Sequence, residues 1–261
     1  MVLTAEKELV LRLESTLESN QIDYRELVKE FGQVEASEKR RRNEVFNFDD
    51  HLRGFIMALL SNQRPWGPIA KNKSTINELF YNYSPEKLEQ ADYKELVSKI
   101  KNIHCGNRSI EKQLKHLQEN ILTFRKIILE WKSLDVFVTS QSAEETAKIL
   151  SDPKSSYKIK QLGFTLAMEY LRNVGIRGMK PDLHLLRICG HERLGLFPEK
   201  TKPEQAALLF NEFAKKAEAN PVYLDNLFWI FGAQDYANIC NAQPKCHLCS
   251  LRNKCNYHLG K

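Results

Sequence analysis

Four of the six cysteines fall in one stretch, Cys240, Cys246, Cys249 and Cys255, with the spacing C-x5-C-x2-C-x5-C. Structural zinc commonly uses two separated C-x2-C knuckles, each presenting two thiolates to one tetrahedral ion. Here a single central C-x2-C has one cysteine on either side, a pattern suited to wrapping a cubane and giving one thiolate to each of four irons. The spacing therefore favours a [4Fe-4S] cluster, with zinc as the alternative. No acidic residue occurs from Tyr236 to Lys261, and Lys245, Arg252 and Lys254 lie among the cysteines. The segment is thus a basic patch that can offset an anionic cluster, meet phosphate, or simply be a solvated tail. Cys105 and Cys189 stand outside the spacing and read as small buried apolar residues.

A second chemical group is the carboxylate of Asp182 in "KPDLHLLR". Pro181 precedes it and an apolar helical pattern follows, so its ordinary role is an N-cap. Trp66 in "RPWGP" and Tyr170 are aromatic surfaces able to stack on a planar ligand or to fill a core. The block "KRRR", Lys39 to Arg42, reads as a solvated turn or helix end.

These groups have to be positioned by helices. The clearest pattern is Ile110, Leu114, Leu117, Ile121, Phe124, Ile128 and Trp131, which predicts one long amphipathic helix. Val2–Leu17 and Tyr24–Phe31 read as shorter helices, Phe55–Ser61 as a helix buried all round, and Phe228–Tyr236 as another apolar helix leading into the cysteines. Ser142 and Glu145 form a capping box for Ala143–Leu150, and Asp152 with Pro153 predicts the start of a further helix. Gly163 interrupts that helix before Phe164–Asn173 begins, so two helices meet at Gln161-Leu162-Gly163. Asp182 caps a helix expected to run to Arg193, closed by Gly195. The only strand signal is Asp135–Ser140.

The chain has 261 residues, 42% of them hydrophobic, enough for one large or two small cores, and a net charge of +6. No run of about eighteen apolar residues occurs, and the N-terminal segment alternates charges where a secretory signal needs an apolar core. The expectation is a monomeric cytoplasmic protein, or one of the nucleoid or nucleus, neither secreted nor bound to a membrane. In a reducing compartment the clustered cysteines then hold metal in preference to disulfides.

A hairpin around Gly163, then "PDLHLLR", then a four-cysteine loop, in that order along a helical chain, resembles the iron–sulfur branch of the helix-hairpin-helix DNA glycosylases, the endonuclease III superfamily. Asp182, His184 and Arg187 match the family's D-x-H-x-x-R, and "LLSNQ", Leu59 to Gln63, is similar to its L-L-S-x-Q. The resemblance spans about Phe55 to Cys255. It implies an all-α fold of two helical lobes, with residues 51–162 as a helical barrel and residues 1–50 plus 163–261 as a discontinuous iron–sulfur domain. It further implies double-stranded DNA as partner, with Gln63 filling the gap left by an extruded base and Gly163, Phe164 and Thr165 offering backbone amides to phosphate. Lys158 and Lys160 would add sequence-independent attraction, as would Lys245, Arg252 and Lys254. Asp182 would be the catalytic carboxylate, and Trp66 and Tyr170 would face the base.

Three departures from the family pattern bear on mechanism. The hairpin L-P-G-V-G-x-K-T-A reads "IKQLGFTLA", so Gln161 replaces the first glycine and Thr165 replaces the lyase lysine, while the first cysteine gap is five residues where six is common. Without that amine the expected activity is a monofunctional DNA glycosylase, with Lys180 the one nearby amine able to give residual lyase activity. A non-catalytic nucleic-acid-binding protein of the same fold, or a zinc-stabilised helical interaction module, are the alternatives.

Overall fold

A computed structural model describes residues 4–260, and within them every regular element is helical. The chain divides into two compact units. One is the segment Ala36–Ile176, and the other joins the N-terminal segment through Glu35 to the chain from Arg177 onward. The expected boundaries at 50/51 and 162/163 thus differ from the observed ones, and the reason lies in the helix Phe164–Asn173. It packs on Phe48–Leu60 and Ala143–Ser151 within the first unit.

That packing depends on a glycine. A Cβ on Gly54 would sit 2.9 Å from Val174 Cγ1 and 3.3 Å from Asn173 Cβ. Without it the backbones approach closely enough for Asn173 Nδ2 to donate to the Gly54 carbonyl at 2.9 Å. The helix Phe48–Leu60 opens with a capping box between Asn47 and Asp50 and is buried on nearly every side, as its unbroken apolar run requires. Phe55, Phe124 and Tyr170 meet edge-on or tilted at its centre.

Several local expectations are corrected. The long helix expected from Ile110 to Trp131 is two, Ile110–Lys115 and Leu117–Trp131, broken at His116. Asp135–Ser140 is not a strand: Ser133 caps the helix Leu134–Thr139 by accepting from the Val136 amide at 3.0 Å. Asp152 closes the helix Ala143–Ser151, whose capping box at Ser142 and Glu145 is present, and starts none. Residues 152–163 are turns. Of the "KRRR" block, Arg40 is largely buried, donating to Val174 O and to Asp135 Oδ1 at 2.8 Å, while Arg41 and Arg42 form exposed ion pairs.

In the second unit, Ala5–Ser19, Tyr24–Phe31, Leu183–Cys189, Pro203–Lys216 and Pro221–Gly232 enclose a core of Leu13, Leu17, Leu185, Phe197, Phe210 and Phe228. The expected helix start at Val2 lies outside the described residues. The expected extensions to Arg193 and Tyr236 are replaced by turns after Cys189 and Gly232.

Candidate DNA-processing site

Asp182 takes the N-cap position of Leu183–Cys189. Its Oδ1 accepts from His184 N at 2.9 Å and Leu185 N at 3.2 Å. The carboxylate is half-buried and has no ion-pair partner among the described residues. The preceding turn is fixed from the core, because Lys180 N donates to Oδ2 of the buried Asp225 at 2.6 Å. One helical turn on, Arg187 Nη2 donates to His184 Nδ1 at 3.1 Å. Arginine offers no acceptor, so Nδ1 is unprotonated and the ring proton sits on Nε2. Burial lowers the His184 pKa, against the pull of the Asp182 charge, so the ring is neutral at physiological pH.

The four loop cysteines line one cavity of about 290 Å³ of atom-free space, partly open to solvent, together with Arg193 and Arg252. No three His, Cys, Asp or Glu side chains among the described residues gather tightly enough to hold a single ion. The donor set of the cavity is nevertheless all sulfur and faces two guanidinium groups. Arg193 is only 4% exposed. Its Nη1 donates to Cys240 Sγ at 2.8 Å, and its Nη2 donates to Asn241 O at 2.6 Å. No carboxylate pairs with it among the described residues, so the buried charge is matched only by thiolates or by an anionic group that they bind. Burial raises the Cys240 thiol pKa and pushes Cys249 up to about 11. A metal bound through Cys240 and Cys249 must therefore displace their protons. A thiolate-bound cluster fits the all-sulfur donor set and the otherwise unmatched charge of Arg193.

The N-terminal helix braces this loop. Thr16 Oγ1 and Ser250 Oγ lie 2.7 Å apart, and Lys254 Nζ is 2.8 Å from Glu8. Lys254, expected at phosphate, thus holds the loop to its own unit. Lys245 and Arg252 are exposed and lack an acidic partner among the described residues.

In the other unit, Gln63 ends the "LLSNQ" stretch exposed and with a left-handed φ of 47°. Its loop is anchored by Asn107 Nδ2, which donates to Leu59 O at 2.8 Å, and by Arg64 Nη1, which donates to Gly106 O at 2.5 Å. Trp66 beside it is half-buried. Tyr170 does not belong to a base pocket. It is fully buried, and its hydroxyl lies 2.7 Å from His51 Nδ1.

The hairpin turn keeps a glycine-like backbone where its sequence has lost the glycine. Gln161, at the place of the motif's first glycine, has a φ of 61°, in the left-handed region that favours glycine. Asn120 clamps the turn by accepting from Lys160 N at 2.7 Å and donating to Lys160 O at 3.1 Å. Gly163 faces open space, since a Cβ there would meet nothing within 4 Å. The Gly163 and Phe164 amides make no hydrogen bond to any described residue. The Phe164 ring itself is buried, so only its amide is available to a ligand. Both expected phosphate lysines are engaged: Lys158 Nζ donates to Leu162 O at 2.6 Å, and Lys160 Nζ is 3.5 Å from Glu119.

Arg193 and Asn120 were not anticipated. Their partners lie 47 and 40 residues away along the chain, and no local spacing marks them.

The all-helical fold is similar to that of endonuclease III. The chain superposes on the solved structure of a trapped endonuclease III–DNA covalent intermediate, an estranged-adenine complex, with a TM-score of 0.54. The match covers 88% of this chain and 95% of that one, at 16% sequence identity. No protein-family model matches the chain, and no curated protein is similar to it in sequence. No helix among the described residues is long and apolar enough to cross a membrane.

Proposed function

We propose that the protein is a monofunctional DNA N-glycosylase that removes a modified or mismatched base and leaves an abasic site. The observation that carries this reading is Asp182. Its carboxylate is half-buried, held by two backbone amides and free of an ion-pair partner among the described residues. Base loss leaves the sugar with oxocarbenium character. A fixed carboxylate stabilises that charge and orients or deprotonates the attacking water.

The remaining residues are assigned the roles that the resemblance implies, and their placement supports the assignment. A duplex hides the glycosidic bond, so the nucleotide is rotated out at a cost of a few kcal/mol. Gln63, exposed at the tip of an anchored loop, fills the vacancy. The unpaired amides of Gly163 and Phe164, at the start of a ten-residue helix, bind a backbone phosphate. Trp66 is the remaining candidate to stack on the extruded base. Thr165 at the lyase position has no amine, so the sugar is not attacked covalently and the strand stays intact.

Cys240, Cys246, Cys249 and Cys255 would hold a [4Fe-4S] cluster. When bound it supplies a structural cross-link of the loop that presents Lys245 and Arg252 to phosphate. Iron and acid-labile sulfide in the purified protein support this assignment, and zinc alone refutes it.

A panel of duplexes, each with one modified or mismatched base, tests the activity: incubation followed by alkali reveals abasic sites as strand breaks. Breaks that appear only after alkali, with no adduct trapped by borohydride, are the expected result. A trapped adduct would mean an amine such as Lys180 acts on the sugar. Binding without release from any duplex would make the protein a non-catalytic DNA-binding protein.

A further inference from the structure

Lys158 was expected to face DNA, yet its ammonium points into its own turn. The side chain is half-buried, and Nζ donates to Leu162 O at 2.6 Å. No backbone amide takes that carbonyl, because the following helix begins with Ala167 N donating to Gly163 O. The peptide joining Leu162 to Gly163 is trans. In a trans peptide the C=O and the N–H point in opposite directions. A carbonyl held by the Lys158 ammonium therefore turns the Gly163 N–H the other way, and that amide has no partner among the described residues.

The surrounding charges make the placement informative. Burial and the neighbouring Lys160 lower the Lys158 pKa, and only Asp152 opposes them. An ammonium beside the positive end of a helix is electrostatically unfavourable on its own. It persists here because it fixes a carbonyl, and a docked anion would offset it.

We propose that Lys158 is a positioning residue of the hairpin: it fixes the Leu162–Gly163 peptide plane and so aims the Gly163 amide at the DNA phosphate. This rests on the hairpin being the phosphate site in the proposed function. In effect an internal cation, together with Asn120, holds the backbone of a turn that has Gln161 at the place of the motif's first glycine.

A double-mutant cycle tests the idea on the full-length protein, with binding to a duplex containing a stable abasic analogue as the measurement. Gly163→Pro deletes the N–H while the observed φ of −84° stays close to the range of proline. Lys158→Met keeps the stem and removes the charge. Each single variant should weaken binding by about tenfold, the value of one charge-assisted hydrogen bond, and the double variant should be no weaker than Gly163→Pro. Ethylammonium at constant ionic strength should restore Lys158→Ala in part and leave Gly163→Pro unchanged. Additive losses would show that Lys158 touches phosphate directly and overturn the proposal, as would unchanged binding of Lys158→Met. Unchanged binding of Gly163→Pro would instead remove the hairpin phosphate site itself. Thermal melts of each variant separate these outcomes from unfolding.

Discussion

Asp182→Asn separates chemistry from folding. The carboxylate caps Leu183–Cys189 through two amide hydrogen bonds, at 2.9 and 3.2 Å. Asparagine caps a helix as well as aspartate does, so the substitution should leave stability nearly unchanged, whereas Asp182→Ala should cost about 1 kcal/mol. In a chain of this size that is a fall in melting temperature of roughly 2–4 °C. The chemical effect is larger. A unit negative charge about 4 Å from a developing cation, at an effective dielectric constant of about 20, contributes on the order of 4 kcal/mol. Its loss should therefore lower the rate of base release by about a thousandfold. The assay is single-turnover release, with enzyme in excess, on whichever duplex of the panel is cut. Asp182→Asn and Asp182→Ala should be slowed to a similar degree although only the second is destabilised. A full rate for Asp182→Asn, or losses that follow melting temperature, would show that this carboxylate is only a cap.

Three further outcomes follow from the geometry. Gly54→Ala should destabilise the protein by about 1–3 kcal/mol, since its Cβ would lie 2.9 Å from Val174 Cγ1; an unchanged denaturation midpoint would refute the close-approach argument. Thr165→Lys should create a borohydride-trappable adduct with an abasic duplex if the position faces the sugar, and no adduct would mean that it does not. Acid should weaken the Ala36–Ile176 unit through Asp135. Burial raises its pKa, but His51 and Arg40 together bring it down to about 2. Arg40, at 2.8 Å, is the closer partner, and His51 Nε2, at 3.5 Å, lies at the edge of hydrogen-bond range. The folded-state pKa is depressed, so the stabilisation is complete above the ordinary carboxylate value and is lost as pH falls from about 4 toward 2. Asp135→Asn should flatten that part of the stability profile, and an unaltered profile would discard the assignment.

Features that depend on neighbours along the chain were legible before any packing was known. The capping box at Ser142 and Glu145, the Asp182 cap, the all-round apolar stretch Phe55–Ser61 and the cysteine spacing all act within a few residues, where backbone geometry leaves little choice. Even the hairpin survived the loss of its first glycine, because Gln161 accepts a left-handed backbone once Asn120 clamps the residue before it. Tertiary structure decided the fate of long and aromatic side chains. Lys158, Lys254 and Arg40 looked like solvent or phosphate contacts, and each instead holds an acceptor of its own unit: Leu162 O, Glu8 and Val174 O. Tyr170 looked like a pocket aromatic and proved to be core. A lysine or arginine reaches several ångströms in any direction, and the partner it finds is set by segments distant in sequence. The types and spacing of these residues could therefore suggest a DNA-processing site, while packing alone determined which charges hold the fold and which remain open to a ligand.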